Sequence, residues 1–263
     1  VLNSTERMPL PPKEKRVAAE PGRIRRITFD RVTFSYHPGT PVLQDIQLSI
    51  SEGERVAVVG PTGSGKTSLI NLLVRFYDPS HGRVLINNRP LTALDIIAVR
   101  RRMALVTQDP LLFSGTIAEN IRFGNPSLSH DDLMQVIKNA HCKDLIAKLP
   151  GKLDFVLTGG KEALSSGERQ LISIARAFAR DPALLILDEA TSYIDSETEQ
   201  HIQDALNMLM RHRTTLIVAH RLSTAREAHR IVVIIQGRIV ETGTHEELIR
   251  LRGFYYRLGQ LQN

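Results

Sequence analysis

Five short apolar runs, each followed by a segment with helical periodicity, restrict the fold of this 263-residue chain more than any other feature. They occupy residues 55–59, 103–107, 184–187, 215–219 and 230–235. Short apolar runs that alternate with helices are typical of strands buried on both faces, as in a parallel sheet covered by helices. The sequence therefore predicts an α/β fold with a mainly parallel sheet flanked by helices.

Two regions depart from this alternation. Residues 27–36 and 42–50 alternate between apolar and polar side chains, which predicts an N-terminal antiparallel β-subdomain. Residues 109–180 predict a mostly helical subdomain, in which Ser129 is the expected N-cap of one helix. We therefore divide the chain into a linker (1–26), a core with the β-subdomain (27–108 and 181–263) and a helical subdomain (109–180).

Charge and composition limit the partners and the cellular environment that we expect for the chain. The net charge is +6, and residues 1–26 hold seven basic and three acidic side chains, which indicates a basic, flexible linker. No aromatic residues are interleaved with these cations, so we expect no nucleic-acid partner. The single cysteine, Cys142, excludes an intramolecular disulfide, and the longest apolar runs, of five residues, are too short to span a membrane. Because the chain opens at Val1 inside the linker, we expect a domain of a longer polypeptide.

A glycine-rich loop follows the first apolar run. The pattern G-x-x-x-x-G-K-T lies between a predicted strand and a predicted helix, which is the context of a phosphate-binding loop. Glycines let backbone N–H groups turn toward phosphates, and the helix start adds the positive end of its dipole. We expect Lys66 to reach the β- and γ-phosphates and Thr67 to bind Mg²⁺. The predicted nucleotide-binding residues of this loop are Gly60, Thr62, Gly63, Ser64, Gly65, Lys66, Thr67 and Ser68.

Two neighbouring carboxylates end the third apolar run. Asp188 is expected to hold the hydrated Mg²⁺ that a phosphate-binding loop requires. Glu189, one residue further and pointing elsewhere, is placed to polarise an attacking water as a general base. The implied chemistry is the hydrolysis of a nucleoside triphosphate.

Residues 164–170, LSSGERQ, resemble the LSGGQ signature of ATP-binding-cassette (ABC) proteins, and they precede the two carboxylates at the spacing of that family. The resemblance covers almost the whole chain and implies that the nucleotide is ATP. It implies that Tyr36 stacks on adenine, that Gln108 contacts Mg²⁺ and water, and that His220 contacts the γ-phosphate. Asp195 lies in a segment that resembles the loop between two cassettes, and the resemblance implies that it contributes to nucleotide binding. The catalytic set is then Lys66, Gln108, Glu189 and His220, and the metal ligands are Thr67, Gln108 and Asp188.

The signature implies a dimer. Ser165 and the N–H groups around Gly167 are expected to cap the following helix and to present its N-terminus to a phosphate. In this family that phosphate belongs to the ATP of a second nucleotide-binding domain, so two such domains close head to tail around two ATP molecules. Ser166 replaces the first glycine of the signature and Glu168 replaces its glutamine. A heterodimer with two unequal ATP sites therefore stays open beside a homodimer.

Several segments resemble the exporter branch of ABC transporters, in which the domain follows six membrane helices in the same polypeptide. They are residues 108–121, 189–192, 219–223, 243–248 and 253–257. The resemblance implies a transmembrane domain as partner, a location at the cytoplasmic face of the cell membrane, and export of a substrate that this sequence does not identify. Residues 156–162 lack a clear equivalent of the glutamate that usually contacts the membrane helices. The alternatives are a separately encoded importer cassette and a soluble ABC ATPase that acts on nucleic acid or ribosomes.

Overall fold

Short buried strands alternate with helices along the chain, and the computed structural model describes residues 23–107, 109–158, 164–188, 196–219 and 222–262. The strands are β1 (Arg26–Phe34), β2 (Leu43–Ser51), β3 (Arg55–Val59), β4 (His81–Ile86), β5 (Arg89–Pro90), β6 (Met103–Val106), β7 (Gly115–Thr116), β8 (Val156–Leu157), β9 (Leu184–Asp188), β10 (Thr214–Val218), β11 (Arg230–Ile235) and β12 (Arg238–Gly243). The helices are α1 (Lys66–Leu73), α2 (Ile96–Arg101), α3 (Ile117–Arg122), α4 (His130–Asn139), α5 (Lys143–Lys148), α6 (Ser166–Arg180), α7 (Ser196–Met210), α8 (Leu222–Arg226), α9 (His245–Leu251) and α10 (Phe254–Gln262). The predicted α/β class is confirmed.

The chain divides into two units, of which the first comprises the described residues up to 101 and from 216 onward. In this unit β3 pairs in parallel with β11, with Val56 opposite Arg230 and Val59 opposite Val233. Strand β12 pairs antiparallel with β11 on its other side. The middle of β3 is fully buried, as expected for a parallel strand covered on both faces. This packing fixes the carboxyl end of β3, where the glycine-rich loop begins.

A second sheet in the first unit is antiparallel and has the order β2-β1-β4-β5. Ile27 of β1 lies opposite Ile50 of β2 on one side and Ile86 of β4 on the other. Buried and solvent-facing residues alternate along β2, which confirms the antiparallel β-subdomain expected from the sequence. Strand β4 was not predicted, because its first three residues are exposed and lack an apolar alternation.

The second unit comprises residues 102–215 and is richer in helix. Strands β6 and β9 pair in parallel, with Met103 opposite Leu184. The Ser129 hydroxyl accepts a hydrogen bond from the Asp132 N–H and caps α4, as the sequence predicts. Within the described ranges, no helix combines the length and the apolar character that crossing a bilayer requires.

Cys142 lies in the core of the second unit, immediately before α5. Its side chain is fully buried, and its Sγ lies 3.4 Å from the carbonyl oxygen of Leu171 in α6. Burial raises the pKa of the thiol from 9.0 to about 12, because a thiolate would lose its hydration there. The thiol therefore stays protonated in the folded chain at a pH where it ionises in the unfolded chain.

This difference predicts a loss of stability in alkali. The free energy of unfolding should fall as the pH rises above 9.0 toward 12, because only the unfolded state releases the Cys142 proton over that range. By pH ~10.5 ionisation of Cys142 in the unfolded chain should have lowered the free energy of unfolding by about 2 kcal/mol, at about 1.4 kcal/mol per pH unit. Urea unfolding of the wild-type chain and of Cys142→Ala across this pH range measures it.

Tyr255 provides a background that both proteins share. It is also buried, and burial raises its pKa to about 12, so its contribution cancels in the comparison. The Cys142→Ala chain should be less stable at neutral pH, since truncation leaves a cavity, but it should lose less stability in alkali. If the free energy of unfolding depended on pH equally in the two chains, the raised pKa of Cys142 would be contradicted.

Candidate functional site

Residues 60–65 connect β3 to α1, and three glycines allow the shape of this loop. Gly60, Gly63 and Gly65 have φ angles of 153°, 78° and 104°, which residues with a Cβ rarely adopt. A Cβ on Gly65 would lie 2.6 Å from Leu43 Cδ2, and a Cβ on Gly60 would overlap the backbone oxygen of Ile234. The loop is thus held closely against its surroundings, with its backbone uncovered by side chains at these positions.

Lys66, the first residue of α1, lies inside this loop. Its side chain is nearly buried, and its Nζ donates hydrogen bonds to the carbonyl oxygens of Gly60 and Pro61, at 2.8 and 2.9 Å. The Ser64 hydroxyl is buried and has no hydrogen-bond partner among the residues that the structure describes. A buried ammonium and an unsatisfied hydroxyl next to a glycine backbone suit an anion with several acceptor oxygens. The loop therefore fits a phosphate group, as the sequence predicts.

The turn between β11 and β12 supports the loop, and sequence reasoning did not assign this turn to the site. The Gly237 N–H donates to the Ser64 carbonyl oxygen at 3.1 Å, and the Gly237 carbonyl accepts from the Gln44 N–H at 2.8 Å. A Cβ on Gly237, whose φ is 76°, would overlap the backbone of Val42. A glycine two residues after a predicted strand was the available sequence signal.

Tyr36 lies beside α1 in the same unit. Its hydroxyl is 3.1 Å from Ser68 Oγ and accepts a hydrogen bond from Asn71 Nδ2 at 3.0 Å. Phe34 and Tyr77 contact its ring edge-to-face, with centroids 4.7 and 5.1 Å away, and Tyr36 is 41% exposed. The ring is thus fixed near the helix of the phosphate-binding loop while part of its surface faces solvent, and its stacking on adenine stays a prediction.

The predicted Mg²⁺ ligands occupy suitable places in their own units. Thr67 is exposed in the first turn of α1, and Asp188 is the half-buried last residue of β9. Hydroxyl and carboxylate oxygens are ligands that Mg²⁺ prefers, so both side chains fit the predicted role. Four further predicted site residues lie outside the described ranges: Gln108, Glu189, Asp195 and His220.

The signature segment forms the start of α6, the longest helix of the helical subdomain. The Ser165 hydroxyl accepts from the Glu168 N–H at 3.2 Å, and the Glu168 carboxylate accepts from the Ser165 N–H at 2.8 Å. This reciprocal capping box confirms Ser165 as the predicted cap and gives Glu168 a structural role that glutamine can also fill. Ser165 and Ser166 are exposed and Gly167 is buried, so the positive helix start and two hydroxyls face solvent.

Comparisons with known proteins identify the family of the chain. Residues 43–192 match the family model described as ABC transporter. A fatty acid ABC transporter ATP-binding/permease protein of Mycobacterium bovis is 45% identical over 258 residues, which cover 98% of this chain and 40% of that protein. An ATP-dependent lipid A-core flippase of Syntrophus aciditrophicus is 46% identical over 246 residues, covering 93% of this chain and 41% of the flippase.

Comparison with solved structures supports the same family. The structure of a bacterial Atm1-family ABC exporter with ATP bound matches with a TM-score of 0.85 and 36% identity, over 94% of this chain and 44% of the exporter chain. The chain thus spans about 40% of the length of these curated relatives.

The shape of the glycine loop predicts unequal effects of two alanine substitutions. Gly63→Ala should cost about 1 kcal/mol, because φ there is unfavourable but no atom lies within 4 Å of the new Cβ. Gly60→Ala should lower the free energy of unfolding by about 3 kcal/mol or more. The new Cβ also clashes with the backbone of Ile234, which is less able to shift than a flexible side chain. Denaturant unfolding of the two chains measures the difference.

Gly39→Ala is the matched control, since its φ of 86° is similar to that of Gly63 and nothing lies within 4 Å of its Cβ. It should resemble Gly63→Ala. Equal losses of stability for Gly60→Ala and Gly63→Ala would show that the close approach to Ile234 does not matter.

Proposed function

The chain belongs to the ABC transporter family, and on that premise we propose that it is the ATP-binding and ATP-hydrolysing domain of an exporter. Two such domains close head to tail around two ATP molecules, and this closure drives a membrane partner. Closure follows from a difference in affinity, because ATP binds the closed dimer more tightly than the open one.

One observation carries this proposal: a single chain has two helix starts suited to phosphate. At the start of α1, Lys66 donates hydrogen bonds to two carbonyl oxygens of the glycine-rich loop, those of Gly60 and Pro61. At the start of α6, Ser165 caps the helix and exposed hydroxyls surround it. The ABC family assigns the first to the chain's own ATP and the second to the ATP of the partner.

The first of these sites would hold the triphosphate. Lys66 Nζ would exchange its bonds to the Gly60 and Pro61 carbonyls for bonds to phosphate oxygens, which are stronger because both partners are charged. Tyr36 would hold the base, at a place set by its hydrogen bond with Ser68. Mg²⁺ would be held by Thr67, Asp188 and Gln108, and when bound it neutralises charge on the β- and γ-phosphates.

Hydrolysis would use residues next to β6, β9 and β10. Glu189 would accept a proton from the attacking water, whose oxygen bonds to the γ-phosphorus as the bond from that phosphorus to the bridging oxygen breaks. ADP and phosphate are then released. Gln108 orients the water and His220 contacts the γ-phosphate. These roles rest on the resemblance of the sequence to the family.

The membrane partner is proposed from the relatives. They are named ATP-binding/permease proteins and a flippase, and the structural match is an exporter. Because the chain spans about 40% of the two relatives, we propose a transmembrane domain in the same polypeptide and a position at the cytoplasmic face of the membrane. The partner domain is either a second copy of this chain or a different cassette.

Replacement of the proposed general base tests the hydrolytic function. Glu189→Gln should bind ATP but release phosphate about 100-fold more slowly or worse, because the amide cannot accept the proton of the attacking water. Phosphate release and binding of a fluorescent ATP analogue measure the two properties separately.

Glu227→Gln is a matched control, since it makes the same chemical change at an exposed position after α8. It should hydrolyse ATP at the rate of the unchanged chain. Near-normal turnover in Glu189→Gln would refute the base assignment, and failure of the unchanged chain to bind ATP would refute the proposed function.

A further inference from the structure

Arg176 of α6 holds the segment that follows Gln108. Its guanidinium donates from Nη1 to the Leu111 carbonyl oxygen at 3.0 Å, from Nε to the Asn120 carbonyl oxygen at 3.1 Å, and from Nη2 to Asn120 Oδ1 at 3.0 Å. The same guanidinium lies over the rings of Phe113 and Phe123, at 4.9 and 5.6 Å from their centroids. Burial lowers the pKa of Arg176, although arginine remains charged in proteins. One side chain therefore joins α6 to two parts of residues 109–123.

Asn120 completes this attachment from α3. It is 2% exposed, its Oδ1 accepts from the Phe113 N–H at 2.9 Å, and its Nδ2 donates to the carbonyl oxygens of Phe113 and Thr116 at 2.9 and 3.0 Å. All four hydrogen-bonding positions of the amide are thus used, counting the bond from Arg176. A fully satisfied buried amide fixes the backbone around it strongly.

Arg169 makes a second attachment nearer the signature. Its Nη2 lies 3.7 Å from Asp109 Oδ1, and its Nη1 donates to the carbonyl oxygen of Leu164 at 2.8 Å. Asp109 immediately follows Gln108, and Leu164 is the first residue of the signature segment. The Arg169 side chain is 15% exposed and the Asp109 side chain is 59% exposed, so water screens the ion pair on its Asp109 side and this attachment is the weaker of the two.

The two arginines lie on one face of α6. They are seven residues apart, which is two helical turns, so both side chains point toward residues 109–113. Two attachments along one segment prevent it from rotating about either one. The segment and the helix should therefore move as one body.

We propose that Arg169 and Arg176 clamp residues 109–113 to the signature helix, so that ATP bound by this chain changes how its signature meets the ATP of the partner. This inference rests on the proposed function, which places Gln108 against the chain's own ATP. A displacement of Gln108 would reach residues 109–113 directly and then α6 through the clamp. Coupling of this kind is reciprocal, so each ATP in the dimer raises the affinity for the other. Arg169 and Arg176 are positioning residues, because they touch neither nucleotide.

The shape of the ATPase curve tests the clamp. The unchanged chain should show a sigmoidal dependence of hydrolysis on ATP concentration, with a Hill coefficient above 1 and at most about 2 for two sites. Asp109→Ala removes the ion pair at a residue whose side chain is 59% exposed, so the fold should tolerate it. Arg176→Lys keeps the charge but cannot donate to three oxygens from one planar group. Both variants should hydrolyse ATP with a Hill coefficient near 1, and Asp109→Glu should retain the sigmoidal curve.

Asp181→Ala is the matched control. Asp181 is the C-cap of α6 and pairs with Arg213 at 2.7 Å, so this variant removes an Asp–Arg pair at the other end of the same helix. Its curve should stay sigmoidal.

Hydrogen exchange of the amides of residues 111–113 shows whether the variants loosen the clamped segment while α6 stays protected, which separates a lost clamp from an unfolded chain. A sigmoidal curve in both Asp109→Ala and Arg176→Lys would overturn the clamp and leave the proposed function intact. A hyperbolic curve in the unchanged chain would also overturn the coupling. Absence of ATP hydrolysis by the unchanged chain would overturn the proposed function and this inference with it.

Discussion

The hydrogen bonds of Lys66 Nζ to the carbonyl oxygens of Gly60 and Pro61 are the interaction on which the site depends. They hold a nearly buried cation inside a loop whose backbone favours glycine at three of its positions. The parallel pairing of β3 with β11 fixes where the loop begins, and the turn at Gly237 fixes its middle. A charge that burial would otherwise make costly is thereby kept in place and offered to phosphate.

The second unit carries the other half of the proposed function. The capping box of Ser165 and Glu168 fixes the start of α6, and Arg169 and Arg176 fasten the segment after Gln108 to the same helix. A signature that departs from the usual sequence thus keeps the helix start that the chemistry requires. The extra negative charge of Glu168 is directed to the Ser165 N–H, which a glutamine side chain can also reach.

Local patterns predicted much of this structure. The bounds of β3 and β11, the antiparallel pairing of β1 with β2, and the caps at Ser129 and Ser165 all follow from apolar periodicity or from capping chemistry over a few residues. Strands β4 and β12 were not found, because much of each faces solvent. The contact of Arg176 with Asn120 joins residues 56 positions apart, and no local pattern encodes such a pair. The two-turn spacing of Arg169 and Arg176 can be seen in the sequence, but it does not indicate which residues they contact.

Complementation between two inactive chains tests the central claim most directly. Lys66→Ala disables the phosphate-binding loop and leaves the signature intact. Ser166→Asp puts a negative charge at the exposed start of α6, where aspartate favours the helix but repels phosphate. In a head-to-tail dimer of the two variants, one ATP site combines an intact loop with an intact signature. Mixing them should restore ATP hydrolysis well above the sum of the separate activities, and a mixture that shows only that sum would contradict the account.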